Sequence, residues 1–194
     1  EIFGTLFESL KKTKTTSPMG DHIMDHALNA LLDDTLPAST AAPQDILLTN
    51  HFGDFVVHAD TILTFDYGII GFSAFKTFAL VKLPHVDTET PFRLLVSLEE
   101  PHLSFIVFPT TCQSPLIDKE DVSALCDRYK ITPSDLLLLH IASIQEDAKF
   151  GNKITLNLKA PIVIDASTRR AEQHVFTDKD YALHYRMDGQ RKTV

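Results

Sequence analysis

A chain of 194 residues that is 44% hydrophobic, with 13 Phe and no Trp, can bury one domain core of ordinary size and must build its large aromatic contacts from Phe. Its net charge of −8 is uneven: three Lys against two Glu over 1–18, five Asp and no Lys or Arg over 19–50, and 15 basic against 19 acidic side chains over 51–194. That balance disfavours a protein that holds phosphate backbones and suits one that meets a basic protein, so no direct nucleic-acid contact is expected.

No apolar run approaches the ~20 residues of a membrane span. Cys112 and Cys126 form neither a metal-type pair nor a secreted disulfide framework, which reads as a cytoplasmic protein with a buried free thiol at Cys126. The first residue is Glu rather than Met, so the natural start reads as missing, processed or replaced.

In chain order, residues 1–45 read as a helical N-terminal extension and linker. Ile2, Phe3, Leu6, Phe7 and Leu10 recur at helical spacing, and "TKTTSPMG" interrupts them. A second helix is predicted from Asp21 to about Asp33, followed by the linker-like "DDTLPASTAAPQD". From residue 46 to 194 the pattern is mainly β. "ILLTNHFGDFVVH", "TILTF", "FKTFALVKL", "FRLLVSL", "SFIVFP", "LLLLHIASI", "KITLNLKAPIVID" and "QHVFT" are short, β-rich and separated by turn residues. In "KITLNLKA" the apolar side is Ile154, Leu156, Leu158 and Ala160. One helix interrupts the strands, with Asp118 as its N-cap and Val122, Leu125, Cys126 and Tyr129 on one face. Few helices between many strands predict a small antiparallel, barrel-like domain with one or two short helices, not a parallel α/β sheet.

The candidate chemistry is sparse. Gly68 and Gly71 in "LTFDYGIIGF" lack the third glycine and the following helix of a dinucleotide fingerprint. "GIIG" formally matches the loop of KH-type RNA-binding modules, but its middle residues are two Ile and basic side chains are few. A turn or bulge that needs glycine backbone angles is the plainer reading, with or without Tyr67, Ile69 and Ile70 presented to a partner. "GFSAF" lacks the glycine that a nucleophile elbow needs after its serine. His22 and His26 lie one helical turn apart beside Asp21 and Asp25, yet no third ligand accompanies them; a solvated face is expected, and no metal. Glu99 and Glu100 read as a polar strand end running into Pro101, and Arg169 and Arg170 as a hairpin tip. No nucleophile, base and oxyanion site assemble from these motifs, so no catalytic residue or cofactor is expected. A scattered enzyme or ligand site stays open as the alternative.

Several stretches then fall into one pattern. "HFGDFVVHADTILTFDYGIIGF", "PFRLLVSLEEPHLSFIVFP", "NLKAPIVIDASTRRAEQHV" and "DYALHYRM" together resemble the flagellar assembly factor FliW family, in order and spacing, over roughly residues 48–187. The family's turn is usually F-P-x-G-L-P-G-F. Phe65, Gly68, Gly71 and Phe72 match it, while Asp66 and Ile70 stand where prolines are typical. Leu94 and Val96 likewise replace the usual Trp and Gln. The resemblance implies a small non-enzymatic β-barrel that binds flagellin and, alternatively, the RNA-binding regulator CsrA, relieving repression of flagellin translation. On that basis the expected partner-binding residues are Asp66, Tyr67, Ile69, Ile70, Phe72, Ser97, Glu99, Glu100, Asn157, Lys159 and Pro161. Residues 1–45 have no counterpart in the pattern. Their helices are expected either to dock on the chain's own or a neighbouring barrel, or to pack there without a regulatory role; a third reading makes residues 1–18 foreign to the gene.

Overall fold

The structure, a computed structural model, describes residues 45–84, 90–145 and 153–187. The two helices expected within residues 1–45 lie outside the described residues. Eleven strands are described: β1 (Ile46–Asn50), β2 (Gly53–Val57), β3 (Ile62–Phe65), β4 (Thr77–Lys82), β5 (Arg93–Ser97), β6 (Ser104–Thr111), β7 (Leu136–Gln145), β8 (Lys153–Leu156), β9 (Ile162–Asp165), β10 (Arg170–Gln173) and β11 (Tyr185–Arg186). Between β6 and β7 runs the described α-helix, α1 (Lys119–Tyr129).

Seven of the strands close on themselves in the order β7-β6-β5-β4-β3-β10-β9, with β9 pairing back onto β7. Closure leaves no free edge within the ring. The ring is antiparallel as expected, with one exception: β10 runs parallel to β3, pairing Arg170 with Thr64 and Ala171 with Phe65. β7 does double duty. Its first half, Leu136–Leu139, closes the barrel against β9, and its second half, Ala142–Gln145, pairs with β8 outside it. The apolar "KITLNLKAPIVID" is therefore two strands joined by a corner at Asn157–Pro161. β1 and β2 form a separate hairpin in which Leu47 faces Val56.

The strand sequences are apolar on both sides because both sides are covered. Leu63, Phe65, Phe78, Leu80, Leu95, Val107, Leu137, Leu139, Ile162, Ile164 and Ala171, drawn from all seven ring strands, pack with one another and fill the barrel interior. Their alternate neighbours, among them Ala79, Leu94, Val96, Leu136 and Leu138, point outward under α1, the hairpin and β8. Helix α1 buries Val122, Leu125 and Cys126 as the spacing predicts. Asp118 occupies the N-cap position, but its side chain caps no amide. Lys130 ends the helix in the left-handed conformation at φ 58°, where Ile131 N–H donates to Cys126 O at 3.0 Å.

Two expectations shift near the C-terminus. "QHVFT" is not a strand beyond Gln173, because β10 begins earlier, at Arg170. Only Arg169, at φ 57°, belongs to the β9–β10 turn. Asp165 sets that turn by accepting bonds from Ser167 and Thr168.

Candidate partner-binding rim

The β3–β4 connection, residues 66–76, is shaped by its two glycines in different ways. Gly68 has φ +73°, and a Cβ there would lie 2.8 Å from Phe75 O and from Ser73 Cα, so a side chain is excluded twice over. Gly71 has φ +87° but open space around it. Phe72 N–H donates to Ile69 O at 2.7 Å across this turn, and the two isoleucines face opposite sides. Ile69 is 2% exposed and joins the barrel interior, whereas Ile70 is 62% and Tyr67 72% exposed. Phe72 is partly exposed and rests edge-on against Phe105, ring centroids 5.4 Å apart. The tight turn is thus plugged into the core by one side chain while three others face solvent.

Its backbone is fixed from three directions. Gln173 Oε1 accepts the Ile70 N–H at 2.9 Å, and Gln173 Nε2 donates to Ala160 O at 3.1 Å. Lys76 Nζ donates to Asp66 O at 2.9 Å, while the Asp66 carboxylate pairs with the Arg170 guanidinium. Glu99 accepts the Lys76 and Thr77 amides, each at 3.0 Å, and a further bond from Ser97 Oγ at 3.1 Å. Partial desolvation works against ionising Glu99, but these bonds prevail and hold its carboxyl below the usual carboxylate range. Glu99 and Glu100 sit in the β5–β6 turn, past the end of β5. Glu100 remains exposed beside them.

The corner Asn157–Pro161 has a different character. Asn157 Oδ1 accepts the Ala160 N–H at 2.9 Å, and the Asn157 carbonyl faces His140 Nδ1 at 3.4 Å. A carbonyl can only accept, so Nδ1 carries the imidazole proton and Nε2 accepts from the Thr110 hydroxyl at 3.0 Å. His140 lies where β7 stops pairing with β9 and starts pairing with β8. Burial drives its pKa down to about 4, against the opposing bond from Asn157. Pro161 is buried, and its carbonyl accepts from His174 N–H at 2.9 Å. Lys159 donates to the Lys179 carbonyl.

A groove of about 510 Å³ adjoins the rim at Gln173, between α1 and residues 172–179. Several of its titratable groups are paired. Asp121 accepts from Tyr181 Oη at 2.6 Å and meets Lys179 Nζ at 3.0 Å, and Tyr129 Oη bonds His174 Nδ1 at 3.1 Å.

Comparison with known proteins decides what this barrel is. The family model described as FliW protein matches residues 46–187. The chain belongs to the FliW family. The flagellar assembly factor FliW of Geobacillus kaustophilus is 30% identical over 141 residues, which are 73% of this chain and 94% of that protein. Its counterpart in Clostridium botulinum is 37% identical over 128 residues, 63% of this chain and 84% of that protein. A crystal structure of the flagellar assembly factor FliW superposes with a TM-score of 0.57 at 30% identity, covering 74% of this chain and 96% of that one.

Within this FliW domain, hydrogen bonds join most of the expected partner-binding residues into one rim. It runs from Glu99, through Lys76 and Asp66, across the turn to Gln173 and on to the Asn157–Pro161 corner. Exposure then sorts them. Asp66, Tyr67, Ile70, Glu99 and Glu100 are exposed, Phe72 only just so, and Asn157 and Lys159 are half-buried. Ile69, Ser97 and Pro161 are buried, so they shape the rim from within and have no surface to offer a partner. Sequence reasoning missed Gln173 and Lys76, which tie the rim together, and gave Arg170 no part in it. Gln173 is 103 residues from the amide it holds, and no spacing pattern signals such a contact.

Proposed function

We propose that this chain is a partner-switching regulator of flagellar assembly, acting by protein–protein contact and without catalysis. It binds flagellin and, in the alternative state, a CsrA-type RNA-binding regulator, whose release from flagellin mRNA relieves repression. The observation that carries the reading is the turn with Tyr67, Ile70 and Phe72 outward and Ile69 locked inward. Such an apolar trio on a rigid, pre-ordered backbone costs little conformational entropy when a partner covers it. The nearby carboxylates of Glu99 and Glu100 suit a basic partner. The loss of the typical prolines at Asp66 and Ile70 gives this turn its own contact chemistry, since Ile70 presents a large side chain and Asp66 recruits Arg170.

The test is a reconstitution with the full chain. Added to CsrA bound to flagellin leader RNA, the protein is expected to release the RNA, and flagellin is expected to reverse that release. Binding to neither protein overturns the proposal.

A further inference from the structure

Past Gln173 the chain keeps the extended course of β10 but is paired on one side alone. His174 N–H donates to Pro161 O at 2.9 Å and Phe176 N–H to Lys159 O at 3.0 Å, which continues the β9–β10 ladder through alternate residues. Val175, between them, points its N–H and C=O the other way. On that side β3 pairs with β10 only as far as Ala171, opposite Phe65, where the chain turns off into residues 66–76. Among the described residues neither the Val175 nor the Thr177 amide has an acceptor, and both residues are exposed. Ring closure removes such edges within the barrel, and this segment leaves one open just outside it.

The open edge borders a formed groove. Val175 and Thr177 line the space of about 510 Å³ whose far wall is α1, at Leu125, Arg128 and Tyr129. The bond from Tyr129 to His174 and the Asp121–Lys179 ion pair hold that wall in place. An unpaired strand edge beside a groove takes an extended peptide as an added strand: main-chain bonds give affinity, and alternate side chains give specificity. The charges indicate which peptide fits. Asp121, Glu172 and Asp178 line the groove against Arg128 and Lys179, and burial with Arg128 nearby lowers the pKa of His174, so the imidazole adds no charge at neutral pH. The balance is negative, and a basic segment complements it. The edge is also continuous with the outward turn, because Gln173 holds the Ile70 amide.

We propose that residues 173–177 are a strand-addition site, at which an extended, basic segment of a protein partner pairs with the Val175 N–H and C=O and lies in the groove against α1. The proposal rests on the reading of this chain as a partner-binding protein, and adds that the partner enters as extended main chain.

Amide hydrogen exchange of the full chain tests it, alone and then with flagellin, with a CsrA-type regulator, and with an excess of a synthetic peptide of alternating Lys and Val. The Val175 and Thr177 amides are expected to exchange about tenfold slower or more with at least one of the proteins and with the peptide. Val175→Pro removes the donor at an edge position that tolerates proline, so it should keep the urea midpoint and weaken binding by about tenfold or more. Val175→Thr keeps the amide and should bind like the natural chain. If the proline variant unfolds, exchange in the natural chain still decides. Binding of flagellin or the regulator that slows neither amide, or that a folded Val175→Pro chain retains in full, overturns strand addition and leaves the partner-switch reading standing. Slowing by the peptide where neither protein binds keeps the edge and overturns that reading instead. No binding and no slowing by any of the three overturns both.

Discussion

The turn at residues 66–76 and the corner at Asn157–Pro161 both match the family pattern, yet they are built for opposite ends. The turn buries one anchor, Ile69, and sends Tyr67, Ile70 and Phe72 outward. The corner spends its polar groups on the chain itself: Asn157 on Ala160 and His140, Pro161 on His174. A matched motif can thus mark either a contact surface or a joint in the backbone, and only exposure tells them apart. Substitutions in the corner and at the anchoring positions of the turn should change stability. Substitutions at the outward positions should change binding alone.

The largest effect is expected inside the turn. Gly68→Ala must strain a backbone at φ +73° and push a methyl into the Phe75 carbonyl, whereas Gly71→Ala meets only the backbone penalty. We expect Gly68→Ala to lose about 3 kcal/mol or more and Gly71→Ala about 1 kcal/mol, read as shifts of the urea midpoint at constant slope. Equal losses would show that the close approach at Gly68 contributes nothing.

The corner should be broken by acid. His140 has a folded pKa of about 4, below its unfolded value. Because the folded state binds the proton less readily, the stability His140 contributes is complete above pH ~6.5 and is lost as pH falls from there through about 4. The loss amounts to up to about 3 kcal/mol. Carboxylates held below their usual range, such as Glu99, follow the same sign at lower pH: their stability is present above the unfolded pKa and is lost as pH falls through the folded one. Denaturation midpoints between pH 7 and 4 should therefore fall in the natural chain and fall less steeply in a His140→Gln variant, where His174 and the carboxylates still contribute. A flat profile in the natural chain would mean that the imidazole reaches water. A smaller effect, about 1–2 kcal/mol, is expected for Asn157→Ala, which leaves the Ala160 amide without its acceptor.

Much of this was readable in the chain. The strands are legible as short β-rich runs between turn residues, and the apolar face of α1 and the buried side of "KITLNLKA" follow from periodicity, because each signal is local in the chain. The break inside "KITLNLKAPIVID" was not readable: β7 takes β8 on one half and β9 on the other, a choice made by distant pairing. The parallel β3–β10 pairing that closes the ring is non-local in the same way. At the rim, the motif marked the turn but could not say which isoleucine faces out. Ile69 and Ile70 are adjacent and chemically identical, and the fold of the turn, held in part by Gln173 from 103 residues away, buries one and exposes the other. Glu99 is another such case, since acting as a backbone acceptor for residues 22 and 23 positions away leaves no local signature.

The smallest stability change should accompany the clearest functional one. Ile70→Ser and Tyr67→Ala remove side chains that are mostly in water, so each should leave the denaturation midpoint within about 0.5 kcal/mol of the natural chain. If the outward trio is a contact surface, the same substitutions should weaken binding to flagellin or to the CsrA-type partner by about tenfold or more, the size expected of a central apolar anchor. Isothermal titration beside the urea curves separates the two quantities. Unchanged binding by both variants would confine the contacts to other parts of the rim, and the turn would then join the corner as a backbone device. A loss confined to one partner would instead assign the turn to that partner, and would require the two states of the switch to use different parts of the rim.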